Sequence, residues 1–286
     1  MAIKSPIRIL TDTTAAVSRP YLREKRVELL HQVIIFGEQT FLEEAELSFP
    51  EFLDKLRSSR DLPKTAAPPV SEAETILERM LEDADTVICI HPSSELSGTV
   101  RTVETARSSR FPDADIRILD TRVVGAALGS MVRAATEWAE HGMAADEIMH
   151  NLEALIPRAR TYFLVNTLEY LRRGGRIGGA ASLVGSALKV KPILHLENGR
   201  IDALEKVRTQ TKAMERLVEL TLESCPADES ARLALMHADA TPAVEQLRAH
   251  LFEHYGFESI PVLELGAAIT VHGGPGIVGV SFLAQA

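Results

Sequence analysis

Four short polar segments stand where apolar runs end. They are Asp12-Thr13-Thr14, Thr65, the stretch from Ser93 to Thr99 in "IHPSSELSGT", and Asp120-Thr121. Hydroxyl side chains beside a glycine, at the hand-over from a buried strand to a helix, have two uses. They can cap the helix by accepting a hydrogen bond from its first turn. They can also donate, with free backbone N–H groups, to a ligand that carries negative charge. In the second case Ser97 and Thr65 supply hydroxyl donors, and Gly98 lets the backbone approach the ligand closely. His272 in "VHGGPG" sits between a strand and a glycine-rich turn, a place where a lone histidine is more often structural. A third chemistry is nucleophilic, with Ser97, His272 and Asp12 or Asp120 as the working set of a small-molecule hydrolase or transferase. No Gly-x-Ser-x-Gly elbow supports it.

Other motifs fail their context. Gly274-x-Gly276-x-x-Gly279 matches the dinucleotide fingerprint letter by letter but lies too near the end of the chain for the helix and acidic residue that must follow. No Walker A sequence is present. His250-Leu-Phe-Glu253-His254 has zinc-peptidase spacing. On a helix whose apolar face carries Val244, Leu247, Leu251 and Tyr255, however, it reads as a solvated face without a third ligand. No metal site is expected.

Such residues need a scaffold. The 286 residues are 45% hydrophobic, 25% charged and 5% aromatic, enough for a sizeable core and for two domains. The net charge of -9 argues against nucleic acid or an anionic membrane as partner. Two distant cysteines make no disulfide framework. The sequence shows neither a signal peptide nor about 18 consecutive apolar residues, so a soluble, cytoplasmic protein is expected.

In the first half, apolar runs at 7–10, 27–36, 87–90 and 116–119 alternate with helical patterns at 48–59, 72–82, 97–108 and 123–142. This implies crossover units and a largely parallel sheet. Ser71 and Glu74 form a capping-box pattern, which predicts a helix starting near Glu72. In the second half, "TYFLVNT" and "ARLALMH" read as strands, and Asn198-Gly199 as a hairpin turn. "TQTKAMERLVELTLES" and "TPAVEQLRAHLFEHYG" read as helices, and the end of the chain as strand-rich. Residues 177–188 carry no charge and many small side chains, fit for close packing or for lining a narrow apolar channel. Lys206, Arg208, Lys212 and Arg216 form a basic strip. The expected fold class is α/β, with an N-terminal domain (1–159) on a largely parallel sheet and a C-terminal domain (160–286) on a mixed sheet, both with helices.

The segments "IRILTDTTAAV", "IHPSSELSGTVRTVETA", "VHGGPGIVGVSF" and the long block from Phe163 to Leu217 resemble the DegV family of bacterial fatty-acid-binding proteins nearly end to end. The resemblance implies two α/β domains with a fatty acid between them, its acyl chain in an apolar tunnel of the second domain. It implies no catalysis by the chain itself and no cofactor beyond the bound acid. The implied partner is a fatty acid kinase catalytic subunit, which phosphorylates the carboxylate that this subunit holds. By position, Thr65, Ser97 and the adjoining Gly98 match the family's carboxylate loops. His272 and Arg176 match residues near the head group, and Arg208 matches a kinase-docking position. The sequence departs where Ala66 and Ala67 open "TAAPP" without the family's serines, and at Gly273, where Thr is common. Thr65 is then the only hydroxyl of its loop. A lipid-sensing regulatory protein is the other role compatible with the resemblance.

Overall fold

The computed structural model describes residues 5–184, 190–254 and 259–285. In chain order its elements are β1 (Ser5–Asp12), α1 (Arg19–Glu24), β2 (Glu28–Leu30), β3 (Val33–Phe36), β4 (Gln39–Leu42), α2 (Phe49–Ser58), β5 (Lys64–Ala66), α3 (Val70–Leu81), β6 (Ala84–His91), α4 (Thr99–Arg110), β7 (Asp115–Asp120), α5 (Ala126–Glu140) and α6 (Ala145–Leu155). The second half continues with β8 (Ala159–Leu164), α7 (Glu169–Arg173), β9 (Lys191–Glu197), β10 (Arg200–Val207), α8 (Gln210–Ser224), β11 (Ala234–Ala238), α9 (Thr241–His254), β12 (Val262–Glu264), α10 (Ala267–Gly273) and β13 (Ile277–Leu283).

Three sheets result. The first has the order β2-β1-β6-β7 and is parallel throughout. Its central strand, β6, is apolar on both faces because helices cover both. Val87 and Cys89 pack with Met80, Val103 and Ala106 of α3 and α4. Ile88 and Ile90 pack with Leu128, Met131 and Ile148 of α5 and α6. The second sheet, β10-β9-β8-β13-β11-β12, is mixed, with β11 and β12 the parallel pair. Its β13 alternates with a period of two. Val278, Val280 and Phe282 face α8 and α9, and Ile277 faces the opposite side. The third sheet, β4-β3-β5, is small and antiparallel. Its Ile34 packs with Phe52 of α2 and with Ala267, Ala268 and Val271 of α10. Residues near both ends of the chain therefore share one core.

Four expectations change. The apolar run at 27–36 is two strands in two sheets, because His31 and Gln32 break it. Their backbone N–H groups donate to Glu72 Oε1 (3.2 Å) and Thr13 Oγ1 (3.1 Å) instead of continuing a ladder. The Ser71–Glu74 capping box does not form. The helix starts at Val70 behind Pro69, Glu72 pairs with His31 Nδ1 (2.7 Å), and Glu74 accepts from Ser109 (3.1 Å). The strand-rich end contains α10, although Ile269-Thr270-Val271 is a β-branched run. Packing on α2 and β3 overrides propensity there. The small-residue stretch 177–188, which reads as Gly-rich and then helical, opens as a short 3-10 helix, Gly178–Leu183, with Ala180 and Leu183 buried; residues 185–188 of it lie outside the described ones.

The hairpin forms as expected, with Asn198 and Gly199 both at positive φ (50° and 82°). Val244, Leu247 and Leu251 line the buried face of α9. Tyr255 and the side chain of His254 lie outside the described residues. Gly274 and Gly276 lie in a turn leading from a helix into a strand, the reverse of the order a dinucleotide site requires.

Candidate functional site

A cavity of about 920 Å³, counting its mouth, lies between the sheets. Its lining is mostly apolar: Leu96, Val124, Phe163, Leu171, Leu196, Ile201, Met236, Leu265, Ile269 and Ile277. A mostly apolar lining with a few polar groups suits a small-molecule site. Thr65, Ser97, Gly98, Arg176 and His272 all line it, so the structure brings the five candidate ligand-binding residues to one cavity.

Their supports differ from those the sequence suggests. Thr65 follows an apolar run in the sequence, but it does not end a strand of the parallel sheet. It sits instead on β5 of the small antiparallel sheet, opposite Ile34. From there Thr65 Oγ1 meets His272 Nε2 at 2.7 Å. His272 belongs to the last turn of α10 rather than to a strand-to-turn junction. Burial, and then the nearby Arg176 charge, push its pKa down to about 4, so the imidazole is neutral at pH 7. Its Nδ1 is buried and has no partner among the described residues. Gly174 packs against that atom so closely that a Cβ would lie 2.2 Å from it.

Ser97 lies just before the Gly98 N-cap of α4, not at the cap, and Gly98 offers α4 no side-chain cap. Ser97 Oγ and Thr99 Oγ1 are 2.8 Å apart, and Gln32 Nε2 donates to Thr99 Oγ1 at 2.8 Å. The bond between the two hydroxyls can run either way. With the Gln32 amide occupying an acceptor site of Thr99, the Thr99 proton can go to Ser97, and the Ser97 proton is then available to a ligand. Gly98 allows the two loops to meet, since a Cβ there would lie 3.2 Å from Ala67 Cβ. The N-terminus of α4, whose first N–H (Thr99) donates to Ser97 Oγ at 3.4 Å, adds the positive end of its dipole.

Arg176 is half-buried and donates to two carbonyls, Leu96 O (3.1 Å) and Gly174 O (2.6 Å). Among the described residues no carboxylate pairs with it. Burial lowers its pKa, yet a guanidinium remains charged. A partly desolvated cation without a carboxylate partner, beside two hydroxyls and a neutral imidazole on one apolar cavity, has the chemistry to accept an anion.

The hydrolase arrangement is not assembled. Asp12 is fully buried and pairs with His91 Nδ1 (3.0 Å), and its other oxygen accepts from Thr14 N and Oγ1 (2.9 and 2.5 Å). Asp120 accepts from Ser94 and from the Arg122 backbone. Neither reaches His272, whose partner is Thr65. The basic strip also shrinks. Arg216 is bound by Glu205, Glu219 and Glu223, while Lys206, Arg208 and Lys212 are exposed.

Sequence reasoning missed Gln32 and Glu43. Glu43 is buried, hydrogen-bonded to Thr13 Oγ1, and accepts from Ala268 N (2.8 Å) in the first turn of α10. It therefore fastens the helix that carries His272. Burial raises its pKa to about 8, against the lowering effect of those two bonds. A carboxyl raised in the folded state contributes stability that is complete below its unfolded pKa and is lost as pH rises through about 8. The thermal midpoint should therefore fall as pH rises from about 4.5 to about 8 and level off above it. Glu43→Gln, which keeps the shape without the charge, should remove most of that fall. An unchanged slope over that range in Glu43→Gln contradicts the assignment. Nothing in "FLEEAELSF" distinguishes Glu43 from its exposed neighbour Glu44; only the three-dimensional packing does.

Comparison with known proteins finds relatives of the same fold. A family model described as an uncharacterised protein of the DegV family matches residues 6–285. A DegV domain-containing protein of Streptomyces coelicolor is 37% identical over 279 residues, 96% of this chain and 97% of the relative. Protein DegV of Bacillus subtilis is 33% identical over 279 residues, 96% of this chain and 98% of its own length. Among solved structures, a fatty-acid-binding DegV family protein from Thermus thermophilus superposes with a TM-score of 0.91 at 30% identity, covering 98% of this chain and 100% of that one. The DegV fatty acid binding protein of Bacillus subtilis gives 0.87 at 31% identity, covering 98% and 100%. No described helix is long and apolar enough to cross a membrane. With its two large sheets, its seam cavity and matches along nearly its whole length, this chain belongs to the DegV family.

Proposed function

We propose that the protein binds a long-chain fatty acid and presents its carboxylate to a partner kinase for phosphorylation to an acyl phosphate. The chain itself performs no catalysis and needs no cofactor; the acid is its ligand. One observation carries the binding half of this reading: a mostly apolar cavity ends in Thr65, Ser97, His272 and an Arg176 without a carboxylate partner. Fatty acid binding by the Thermus thermophilus and Bacillus subtilis relatives supports it.

The division of labour follows from magnitudes. Each buried methylene contributes ~0.8 kcal/mol, so a long acyl chain supplies roughly 10 kcal/mol gross, from which association costs several kcal/mol. The carboxylate must leave water, which is costly unless hydrogen bonds replace the lost hydration. Thr65, Ser97 and the α4 N-terminus supply donors, and Arg176 supplies the opposite charge. These contacts fix the head at the seam, where a phosphoryl donor held by another protein can be aligned with it. His272 and Arg176 then lie where charge develops on the carboxylate and phosphoryl oxygens. The kinase half rests on the family resemblance and on the exposed cations Lys206, Arg208 and Lys212, which offer a surface for an acidic partner.

Native purification followed by lipid extraction and mass spectrometry tests the binding half. A near-stoichiometric fatty acid is expected; an empty protein that also refuses added oleate and palmitate contradicts it. For the kinase half, Arg208→Glu should leave lipid content unchanged and abolish stimulation of a fatty acid kinase subunit. Full stimulation by the variant removes Arg208 from the docking surface.

A further inference from the structure

The far end of the cavity holds a hydroxyl with nothing to bond. Thr161, on β8, lines the cavity and is 4% exposed. Its Oγ1 is buried and has no hydrogen-bond partner among the described residues. Even Ser281, directly opposite on β13 and itself buried, does not serve it. Threonine and serine facing each other across strands commonly bond, and a buried hydroxyl left unpaired is destabilising. Phe163, Leu196, Ile201 and Met236 line the same cavity and offer no polar side-chain atom.

The position of this hydroxyl is set by register. The head-group residues gather where β13 begins. His272 ends α10 just before it, and a Cβ on Gly273 would touch Ile277 Cδ1 at 2.4 Å. Ser281 lies four residues further along β13 and pairs with Thr161. At about 3.3 Å per residue this places Thr161 roughly 13 Å along the strand from Ile277. Phe163, opposite Gly279, stands between. Thr161 and Leu196 also border a second hollow of mixed lining, where Val123, Ile156 and Leu204 stand beside Arg122, Arg160 and Glu197. The cavity thus has the head-group residues toward one end and a single unpaired hydroxyl deep along its length.

We propose that Thr161 is a specificity-determining residue and that the preferred ligand is a long-chain fatty acid bearing a hydroxyl or other hydrogen-bonding oxygen in the middle or distal part of its chain. This rests on the fatty acid reading above and narrows its substrate class. A plain alkyl chain buries Thr161 Oγ1 without a partner. A chain with an oxygen at that depth gives it one and satisfies its own polar group in the same bond. A site that hydrogen-bonds a ligand hydroxyl discriminates against the analogue lacking it because its own polar atom is then stranded.

Competition binding to delipidated protein tests this with stearate, a mid-chain hydroxystearate and α-hydroxystearate, whose hydroxyl adjoins the carboxylate. The mid-chain hydroxy acid should bind at least about tenfold tighter than stearate, and the α-hydroxy acid should gain nothing comparable. Thr161→Val, nearly isosteric, should bind stearate as well as or better than the wild type and lose the preference for the hydroxy acid. Thr161→Ser, which keeps the hydroxyl, should retain it. Stearate binding equal to or tighter than that of the mid-chain hydroxy acid in the wild type overturns the proposal and leaves the fatty acid reading standing. So does a preference that persists in Thr161→Val. Binding of none of the three acids overturns both.

Discussion

Replacing stearate by laurate is expected to weaken binding by about three orders of magnitude. The two acids share a head group and differ only in six methylenes. At ~0.8 kcal/mol for each buried methylene, the difference is about 5 kcal/mol, and each 1.4 kcal/mol is about tenfold in affinity. The expectation follows from where the cavity lies. Its walls come from Phe163 of β8, Leu196 of β9, Ile201 of β10 and Met236 of β11, so each added methylene leaves water for packed side chains. Calorimetric titration of delipidated protein with a series of saturated acids reads the slope directly. A per-methylene increment near zero means the chain stays in solvent, and the cavity is then not its binding site.

The second large effect concerns the head. Thr65→Val and Ser97→Ala should each cost ~1.5–3 kcal/mol of fatty acid affinity, the range for hydrogen bonds to a charged group. That is roughly tenfold to a hundredfold for each. The two losses should not add, because both hydroxyls serve one carboxylate and each is tied into a shared network. Thr65→Val also strips His272 Nε2 of its partner, and Ser97→Ala ends the donor chain that begins at Gln32. Methyl stearate provides the control. It keeps the chain and removes the charge, so the variants should bind it nearly as the wild type does. Equal affinity for stearate in the double variant and the wild type contradicts the assigned role of both hydroxyls.

Much of the scaffold is legible in the sequence where the physical signal is local. Val87-Ile88-Cys89-Ile90 reads as a doubly covered strand because four consecutive apolar residues bounded by turn signals have few other uses. Asn198-Gly199 reads as a tight turn because both positions must reach positive φ. The site itself is harder to read. Ser97, Gly98 and Thr65 stand out as hydroxyl and glycine positions after apolar runs. What places Thr65 against His272, however, is a contact across 207 residues between a small antiparallel sheet and α10. No periodicity announces that helix, since Ile269-Thr270-Val271 favours a strand until α2 and β3 pack against it. Glu43 and Thr161 are silent for the same reason. Their importance comes from burial among partners far away in sequence, or from the lack of a partner, and neither is a property of the residues beside them.

The most direct measurement is a crystal structure of the protein with a fatty acid brominated near the tail, in which the anomalous signal fixes the direction of the chain. The carboxylate should lie within hydrogen-bonding distance of Thr65 Oγ1 and Ser97 Oγ, with Arg176 alongside. The bromine should lie deep in the cavity, past Phe163 toward Thr161. A carboxylate bound elsewhere, a chain running in the opposite direction, or an acid found only on the surface contradicts the site described for this protein.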